Sequence, residues 1–320
     1  RGIYSVCFHQ HRRCCLLQQK YLTRGRTCGF PLWGIFSRLE PRDRNDVTIV
    51  TAFLDLGSFR KGGDFNSNHY LVYTPKNYLD WAEAYKYLAN PLVVYTDSSH
   101  FQQWFLKART GMEKRTSIVR IDRADIPAYQ RIDKVARVFS DPNYPRFYPN
   151  TVLPEYACSQ HAKVDFVAKS IRENPFGTKY FAWLDIGYFR DALSRKRKFW
   201  IVVPPEMDDS KIAVNQVASP NFALQPEEIF KTNKYWVGGG MAVASGDTYL
   251  RYADDYHRAL DYFLEAGLFN TDQQLIYSMF SDFGQKTLNV TSELQIYAWS
   301  TGPNTPECWF YLGFLCYKEE

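Results

Sequence analysis

The chain has 320 residues and a mass of 37.4 kDa, with 45% hydrophobic and 23% charged residues. This length approaches the largest size of one hydrophobic core, and the composition excludes fibrous, disordered and disulfide-dependent small proteins. The formal net charge of +5 is concentrated in residues 1–44, so the rest of the chain is slightly acidic. We therefore expect no nucleic-acid partner.

Residues 1–45 form a basic leader that contains four cysteines and no apolar periodicity. This composition is typical of a flexible stem. The sequence begins at Arg1, and Cys14-Cys15 beside Arg12-Arg13 would suit a position next to a membrane anchor upstream. Residues 46–320 are expected to fold as one domain.

Strands and helices alternate along that domain. Apolar β-branched runs predict strands, and apolar residues at helical spacing predict the helices between them. In chain order, the predicted elements are a strand at 47–54, a helix at 75–89, a strand at 91–97, a helix at 101–109, a strand at 117–121, helices at 129–139 and 156–172, and a strand at 179–187. The second half adds short strands at 199–204, 211–214 and 239–245 and helices at 247–266 and 271–281. The alternation predicts an α/β fold whose mostly parallel sheet is flanked by helices.

Three of the predicted strands are followed by an acid: Asp55, Asp97 and Asp185. In parallel sheets, ligands bind beyond the carboxyl ends of the strands, so these carboxylates predict a ligand site. The alternative for each is an ordinary turn aspartate that bonds nearby backbone.

The sequence lacks a phosphate-binding P-loop, a dinucleotide fingerprint, a nucleophile elbow and a zincin motif. With six histidines, two of them in the leader, an acid-centred site is favoured. Asp185 ends an apolar strand, and Gly187 beside it permits close approach of another group. A carboxylate in this place suits a divalent cation or a ribose hydroxyl.

Three further features add candidate residues. Gly238, Gly239 and Gly240 precede a strand and can turn backbone N–H groups toward a phosphate or sugar, or simply form a flexible turn. Asp272 begins a helix with Gln273 beside it, and is either a helix-capping residue or a general base at the acceptor. Lys163 is either a surface lysine or a point charge near a diphosphate.

The C-terminal region contains Cys308 and Cys316, which would form a local disulfide in an oxidising compartment or remain free core residues. Asn289 lies in a glycosylation sequon, Asn-Val-Thr. No Cys or His cluster has zinc-site spacing.

Six segments, taken in order, resemble the HtrL/YibB family, to which glycosyl transfer is ascribed: TAFLDLG, PLVVYTD, AKVDFV, FAWLDIGYFR, VGGGMAVASGD and TDQQLIY. The resemblance covers about residues 47–280. It implies a GT-A-like catalytic domain at 46–320, with a nucleotide-binding half at about 46–190 and a smaller mixed acceptor half at about 191–320.

The resemblance also implies roles for the candidate residues. Asp185 would be the first acid of a D-x-D motif that contacts the ribose and a donor-bound Mn²⁺ or Mg²⁺, while Gly187 replaces the second acid. Asp55 and Asp97 would lie around the base and ribose, and Lys163 near the diphosphate. The three glycines would lie along the donor sugar. Asp272, with Gln273, would lie at the acceptor and act as the base.

The sequence thus predicts a glycosyltransferase that moves a sugar from a nucleotide-sugar donor to a glycan, glycoprotein or glycolipid hydroxyl. Two alternatives remain: a non-catalytic carbohydrate- or protein-binding module, suggested by the aromatic residues at 142–156, and a nucleotidyl transferase or phosphohydrolase. The leader, sequon and cysteine pair favour the secretory pathway, in the Golgi lumen as a type II membrane protein. The alternative is a cytoplasmic enzyme acting on membrane glycolipid.

Overall fold

The computed structural model describes residues 47–62, 71–190, 196–299 and 306–320, so the predicted leader at 1–45 lies outside the described residues. The strands, in chain order, are β1 (Val47–Phe53), β2 (Phe59–Lys61), β3 (Leu71–Tyr73), β4 (Leu92–Thr96), β5 (Thr116–Arg120), β6 (Tyr180–Leu184), β7 (Phe199–Ile201), β8 (Lys211–Gln216), β9 (Val237–Ser245), β10 (Glu293–Tyr297) and β11 (Tyr317–Glu319).

The helices, in chain order, are α1 (Pro75–Ala82), α2 (Ser99–Ala108), α3 (Ile132–Ser140), α4 (Pro154–Glu173), α5 (Pro226–Lys231), α6 (Gly246–Glu265), α7 (Asp272–Phe280), α8 (Asp282–Thr287) and α9 (Tyr311–Cys316). Their starts follow ordinary capping rules. Thr74 and Ser98 accept hydrogen bonds from backbone N–H groups in the first turns of α1 and α2. Proline is the first residue of α1, α4 and α5.

Seven strands form one central sheet in the order β10-β8-β9-β6-β1-β4-β5. Only β9 among them runs antiparallel to its neighbours β6 and β8. The prediction of a mostly parallel sheet flanked by helices is therefore confirmed. Strands from both predicted halves of the chain join this one sheet, and the carboxyl ends of β1, β4, β6 and β8 share an edge with the first residues of β9. We call this the carboxyl edge.

Side chains that alternate along the central strands build two cores, one on each face of the sheet. Val50 and Val93 point to the face covered by α3, α4, α6 and α7. Ile49 and Val94 point to the face covered by α1, α2 and α9. The strands are buried on both faces, which explains why their sequences are continuous apolar runs and do not alternate.

One sequence-based expectation is wrong in part. Within the aromatic stretch at 142–156, Tyr144 and Tyr156 are buried and cannot belong to an exposed binding face, whereas Phe147 and Tyr148 are half-buried.

Of the two alternatives for the C-terminal cysteines, the structure has the second. Cys308 and Cys316 are buried residues that no disulfide joins to each other. The Cys308 thiol donates to the Val217 carbonyl at 3.5 Å, and Cys316 ends α9 in the core that α1 and α2 cover.

No helix in the described parts of the chain is both long enough and apolar enough to cross a membrane.

Candidate functional site

Asp185 directly follows β6, and its side chain is 43% exposed at the carboxyl edge. Its backbone N–H donates to the Gly240 carbonyl at 2.9 Å, which holds it against β9. Trp183 lies two residues earlier, on the same side of the chain, and donates its indole Nε1–H to Asp185 Oδ1 at 2.8 Å. The carboxylate is thus oriented by the protein, and its Oδ2 accepts no hydrogen bond from the described residues.

Lys163, in the middle of α4, is buried and points its ammonium at three oxygens. Its Nζ donates to the Gly239 carbonyl at 3.0 Å and to Asp272 Oδ2 at 3.1 Å, and lies 3.3 Å from Asp185 Oδ1. Two of the three ammonium protons are donated in these hydrogen bonds, and the contact with Asp185 is an ion pair. Lys163, Asp185 and Asp272 form an ion-paired group that we call the carboxylate clamp.

Asp272 is the first residue of α7, where the Thr271 and Gln274 side chains form a capping box. Its side chain is only 8% exposed. Burial raises the pKa of Asp272, and the like charge of Asp185 adds to the increase, although Lys163 opposes it. For Lys163, burial alone would lower the pKa, but the two carboxylates outweigh burial, so its pKa is raised. A carboxylate with a raised pKa is a better proton acceptor near neutral pH.

The glycine run lines the site only in part, because successive residues of β9 face opposite sides. A Cβ on Gly239 would lie 2.5 Å from Asp272 Oδ2, so only glycine allows the clamp to form there. Gly240 faces Tyr188 and, at 3.6 Å, Asp185 Oδ2. Gly238 faces Asn215 and Val217, away from Asp272.

Asp55 and Asp97 come together in a second group, just after the ends of β1 and β4. The Asp55 backbone N–H donates to Asp97 Oδ1 at 2.8 Å, and Arg123 Nε donates to Asp97 Oδ2 at 2.5 Å. Arg123 also donates to the Asp55 carbonyl. The Asp55 carboxylate itself accepts from the Gly57 N–H at 3.0 Å, as a turn aspartate does. Next to this group lies an open depression of about 460 Å³, lined by Asp97, Arg120, Ile121, Asp122 and Arg123.

Gln273 and Asn289, two further residues singled out in the sequence, lie outside the carboxylate clamp. Gln273 donates its side-chain N–H to the Val237 carbonyl at 2.8 Å, so it connects α7 to the start of β9. Asn289 is exposed, in a left-handed conformation (φ 48°) between α8 and β10, away from the central strands of the sheet. It is therefore accessible as a modification site.

The buried histidine next to the clamp does not offer a second mechanism. His161 lies two residues before Lys163 on α4; its Nε2–H donates to the Asn270 carbonyl at 3.2 Å and its Nδ1 accepts from Tyr256 at 2.7 Å. Burial lowers its pKa to about 3. This imidazole is neutral at physiological pH and holds the loop before α7 in place.

Sequence reasoning missed Trp183, Arg123, Arg190 and Lys61 near this edge. Trp183 could have been found, because residues two apart on a strand lie on the same side as each other and Asp185 was already a candidate. Arg123 could have been found as well, because it follows the end of a strand just as the candidate acids do. Arg190 follows β6 in a turn, and its guanidinium stacks 5.6 Å from the Trp81 ring. Lys61 belongs to the β2–β3 hairpin, which no sequence pattern indicated.

The clamp does not fit a resident divalent cation. The carboxylate oxygens that converge, Asp185 Oδ1 and Asp272 Oδ2, already face the Lys163 ammonium together with the Gly239 carbonyl. Within the described ranges, no group of three or more His, Cys, Asp or Glu residues is arranged to hold a metal. The requirement for Mn²⁺ or Mg²⁺ stays a prediction, and we derive no step through a metal.

The chain matches the model of a known protein family. The family described as "Bacterial protein of unknown function (HtrL_YibB)" matches residues 45–291, which include the clamp, the glycine run and the Asp55–Asp97 group. A comparison with curated proteins returned no match.

Proposed function

The chain belongs to the HtrL/YibB family, and we propose that it transfers a sugar from a nucleotide-sugar donor to a hydroxyl of a glycan, glycoprotein or glycolipid. The observation that carries the proposal is the carboxylate clamp at the carboxyl edge, where α/β sheets bind ligands. It combines an exposed carboxylate, Asp185, with a buried one, Asp272, whose pKa is raised. Two carboxylates in unlike environments are typical of sites that take and give protons.

In the proposed reaction, the acceptor hydroxyl oxygen forms a bond to the anomeric carbon of the donor sugar. The bond between that carbon and the diphosphate oxygen breaks, and the nucleoside diphosphate leaves with the electron pair. The hydroxyl proton passes to a carboxylate, for which Asp272 is the proposed base. Asp185, with Oδ2 open to the site, would orient the donor by accepting hydrogen bonds from its ribose or sugar hydroxyls.

The test is a screen of nucleotide sugars for nucleoside-diphosphate release, with and without glycan acceptors. We expect at least one donor to be turned over, and Asp185→Asn and Asp272→Asn to abolish turnover. Asp261→Asn is the matched control, because Asp261 is half-exposed on α6 and pairs with Arg131. Release by none of the donors, or equal release by all three variants, would contradict the proposal.

A non-catalytic carbohydrate-binding function is the second candidate, and one observation favours it. Tyr235 and Trp309 are both exposed, and their rings pack 5.4 Å apart. Tyr235 immediately precedes the segment leading into β9, so the pair lies near the carboxyl edge. Exposed aromatic pairs of this kind suit the apolar face of a sugar ring. Binding to a glycan array that persists in Asp272→Asn, without donor turnover, would favour this function.

We also propose that the protein acts in the lumen of the secretory pathway. The exposed Asn289 of the sequon supports this location, because attachment of a glycan there would disturb no core contact. Expression in a secretory host should add a glycan that is lost in Asn289→Gln. An unmodified secreted protein would count against it.

A further inference from the structure

The charges of the carboxylate clamp do not favour a diphosphate. Two carboxylates and one ammonium leave a formal charge of −1, and Lys163 donates hydrogen bonds to the Gly239 carbonyl and Asp272 and forms an ion pair with Asp185. The charge of Lys163 is thus already paired with both carboxylates of the clamp. If a donor diphosphate binds beside Asp185, its charge has to be met by other groups.

Arg190 is one such group. Its guanidinium lies over the rings of Trp81 and Phe310, 5.6 Å and 5.4 Å from their centroids, and donates one hydrogen bond, from Nη1 to the Gly187 carbonyl at 2.9 Å. No carboxylate of the described residues lies within ion-pair distance of it. A guanidinium has five N–H donors in a planar fork that matches phosphate oxygens. Aromatic stacking orients this fork and leaves most of its donors free.

The absence of a side chain at Gly187 leaves room for Arg190 and Trp81. A Cβ at position 187 would lie 2.9 Å from the Trp81 ring and 3.6 Å from Arg190 Nη1. A second acid at this position would therefore collide with the indole and lie against the guanidinium. The space that a side chain at position 187 would fill is occupied by the Trp81 ring and the Arg190 guanidinium.

Lys61 is the second group. It is exposed on the β2–β3 hairpin, with its Nζ 5.8 Å from the Tyr73 ring and 6.0 Å from the Tyr156 ring. Tyr73 in turn packs 5.4 Å from Trp81, so one aromatic cluster supports both cations. The pKa of Lys61 is raised chiefly by Tyr156, and the negative charge of Asp185 contributes as well. No ion pair within the described part of the chain occupies its ammonium.

We propose that Arg190 and Lys61 form an anion site beside Asp185 that binds the diphosphate of the donor without a divalent cation. With these two cations the formal charge of the site changes from −1 to +1. Arg190 supplies paired hydrogen bonds, and Lys61 supplies a mobile charge from the hairpin. The identity of the ligand as a nucleotide sugar rests on the proposed function, whereas the anion site itself rests on the geometry.

Inorganic pyrophosphate is the probe, and isothermal titration calorimetry of the full chain in EDTA is the measurement. We expect binding in EDTA that addition of Mn²⁺ strengthens less than twofold. Arg190→Gln and Lys61→Gln should each weaken it about tenfold or more. Arg172→Gln is the matched control, because Arg172 is exposed near the end of α4, at the opposite edge of the sheet. It should leave the affinity unchanged.

Binding that requires Mn²⁺, or equal affinities for the Arg190→Gln and Arg172→Gln proteins, would overturn the inference. If Arg190→Gln does not fold, the pyrophosphate affinities of Arg190→Lys and Lys61→Gln are measured in its place. Wild-type affinity in both of these proteins would also overturn the inference. The experiment separates the anion site from the transferase. If pyrophosphate binds the wild-type protein and not Arg190→Gln, but no donor is turned over, the anion site is supported and the transferase is rejected. If a donor is turned over only when Mn²⁺ is present, the transferase is supported and the metal-free anion site is rejected.

Discussion

Replacement of Lys163 by methionine tests whether the clamp is held together by charge. The change keeps an unbranched, flexible side chain one atom shorter than lysine and removes the ammonium that faces Asp185, Asp272 and the Gly239 carbonyl. Asp272 is then a buried carboxylate without a counter-charge, and removal of one partner of a buried pair costs about 3–5 kcal/mol. For a chain of this size, that corresponds to a fall in melting temperature of roughly 4–8 °C.

The sign of the pH dependence follows from Asp272. Burial already raises its pKa, and loss of the ammonium should raise it further. The folded protein then retains a proton that the unfolded chain releases above about pH 4, so folding is favoured by protonation. The deficit in stability should therefore be smallest in acid and should grow as the pH rises through the folded pKa.

Thermal unfolding from pH 4 to pH 8 measures both effects. Lys169→Met is the matched control, because Lys169 lies on the same helix in an exposed pair with Glu173 at 2.6 Å, which contributes about 0.3–0.5 kcal/mol. Addition of Asp272→Asn to Lys163→Met should restore most of the loss, since a neutral amide replaces the unpaired charge. Equal melting curves for Lys163→Met and Lys169→Met would refute the reasoning.

Three other predictions follow from the structure. Gly239→Ala should destabilise the protein by displacing the Asp272 carboxylate, and Asp272→Ala in the same chain should relieve the strain in thermal unfolding. Burial lowers the pKa of His161 to about 3, so ¹⁵N NMR should show a neutral imidazole with its proton on Nε2 from pH 8 to pH 5. The stability that the neutral imidazole contributes should be lost as the pH falls from about 6.5 toward 3, because the unfolded chain binds a proton there and the folded protein does not. Alkylation of unfolded, unreduced protein should label both Cys308 and Cys316, as read by mass spectrometry, and a mass loss of two hydrogens without labelling would instead show a disulfide between them.

The sequence predicted the parts of the fold that depend on local pattern. Buried strands such as β1, β4 and β6 are continuous apolar runs bounded by turn residues, and α4 and α6 have apolar residues at helical spacing. The β2–β3 hairpin and β10 escaped prediction because they are short and partly exposed, with little periodicity. Their pairing depends on the rest of the fold being in place.

The site was predictable where chain direction alone brings residues together. Acids after parallel strands share an edge, so Asp55 and Asp97 lie together, and Asp185 lies at the same edge. No local pattern assigns Lys163 to the space between two carboxylates, since this position depends on how α4 and α7 pack against β9. The support of Arg190 by Trp81 joins residues more than a hundred positions apart.

The first turn of α7 is attached to the strand that lies beneath it. Gln273 donates to the Val237 carbonyl at 2.8 Å and Gln274 to the Lys234 carbonyl at 3.1 Å, while Lys163 ties Asp272 to Gly239. Any displacement of this helix must carry the glycine run with it. Under the proposed function, a substitution in the buried contacts of α7 should therefore move the Asp272 carboxylate and the glycine run together, as one unit.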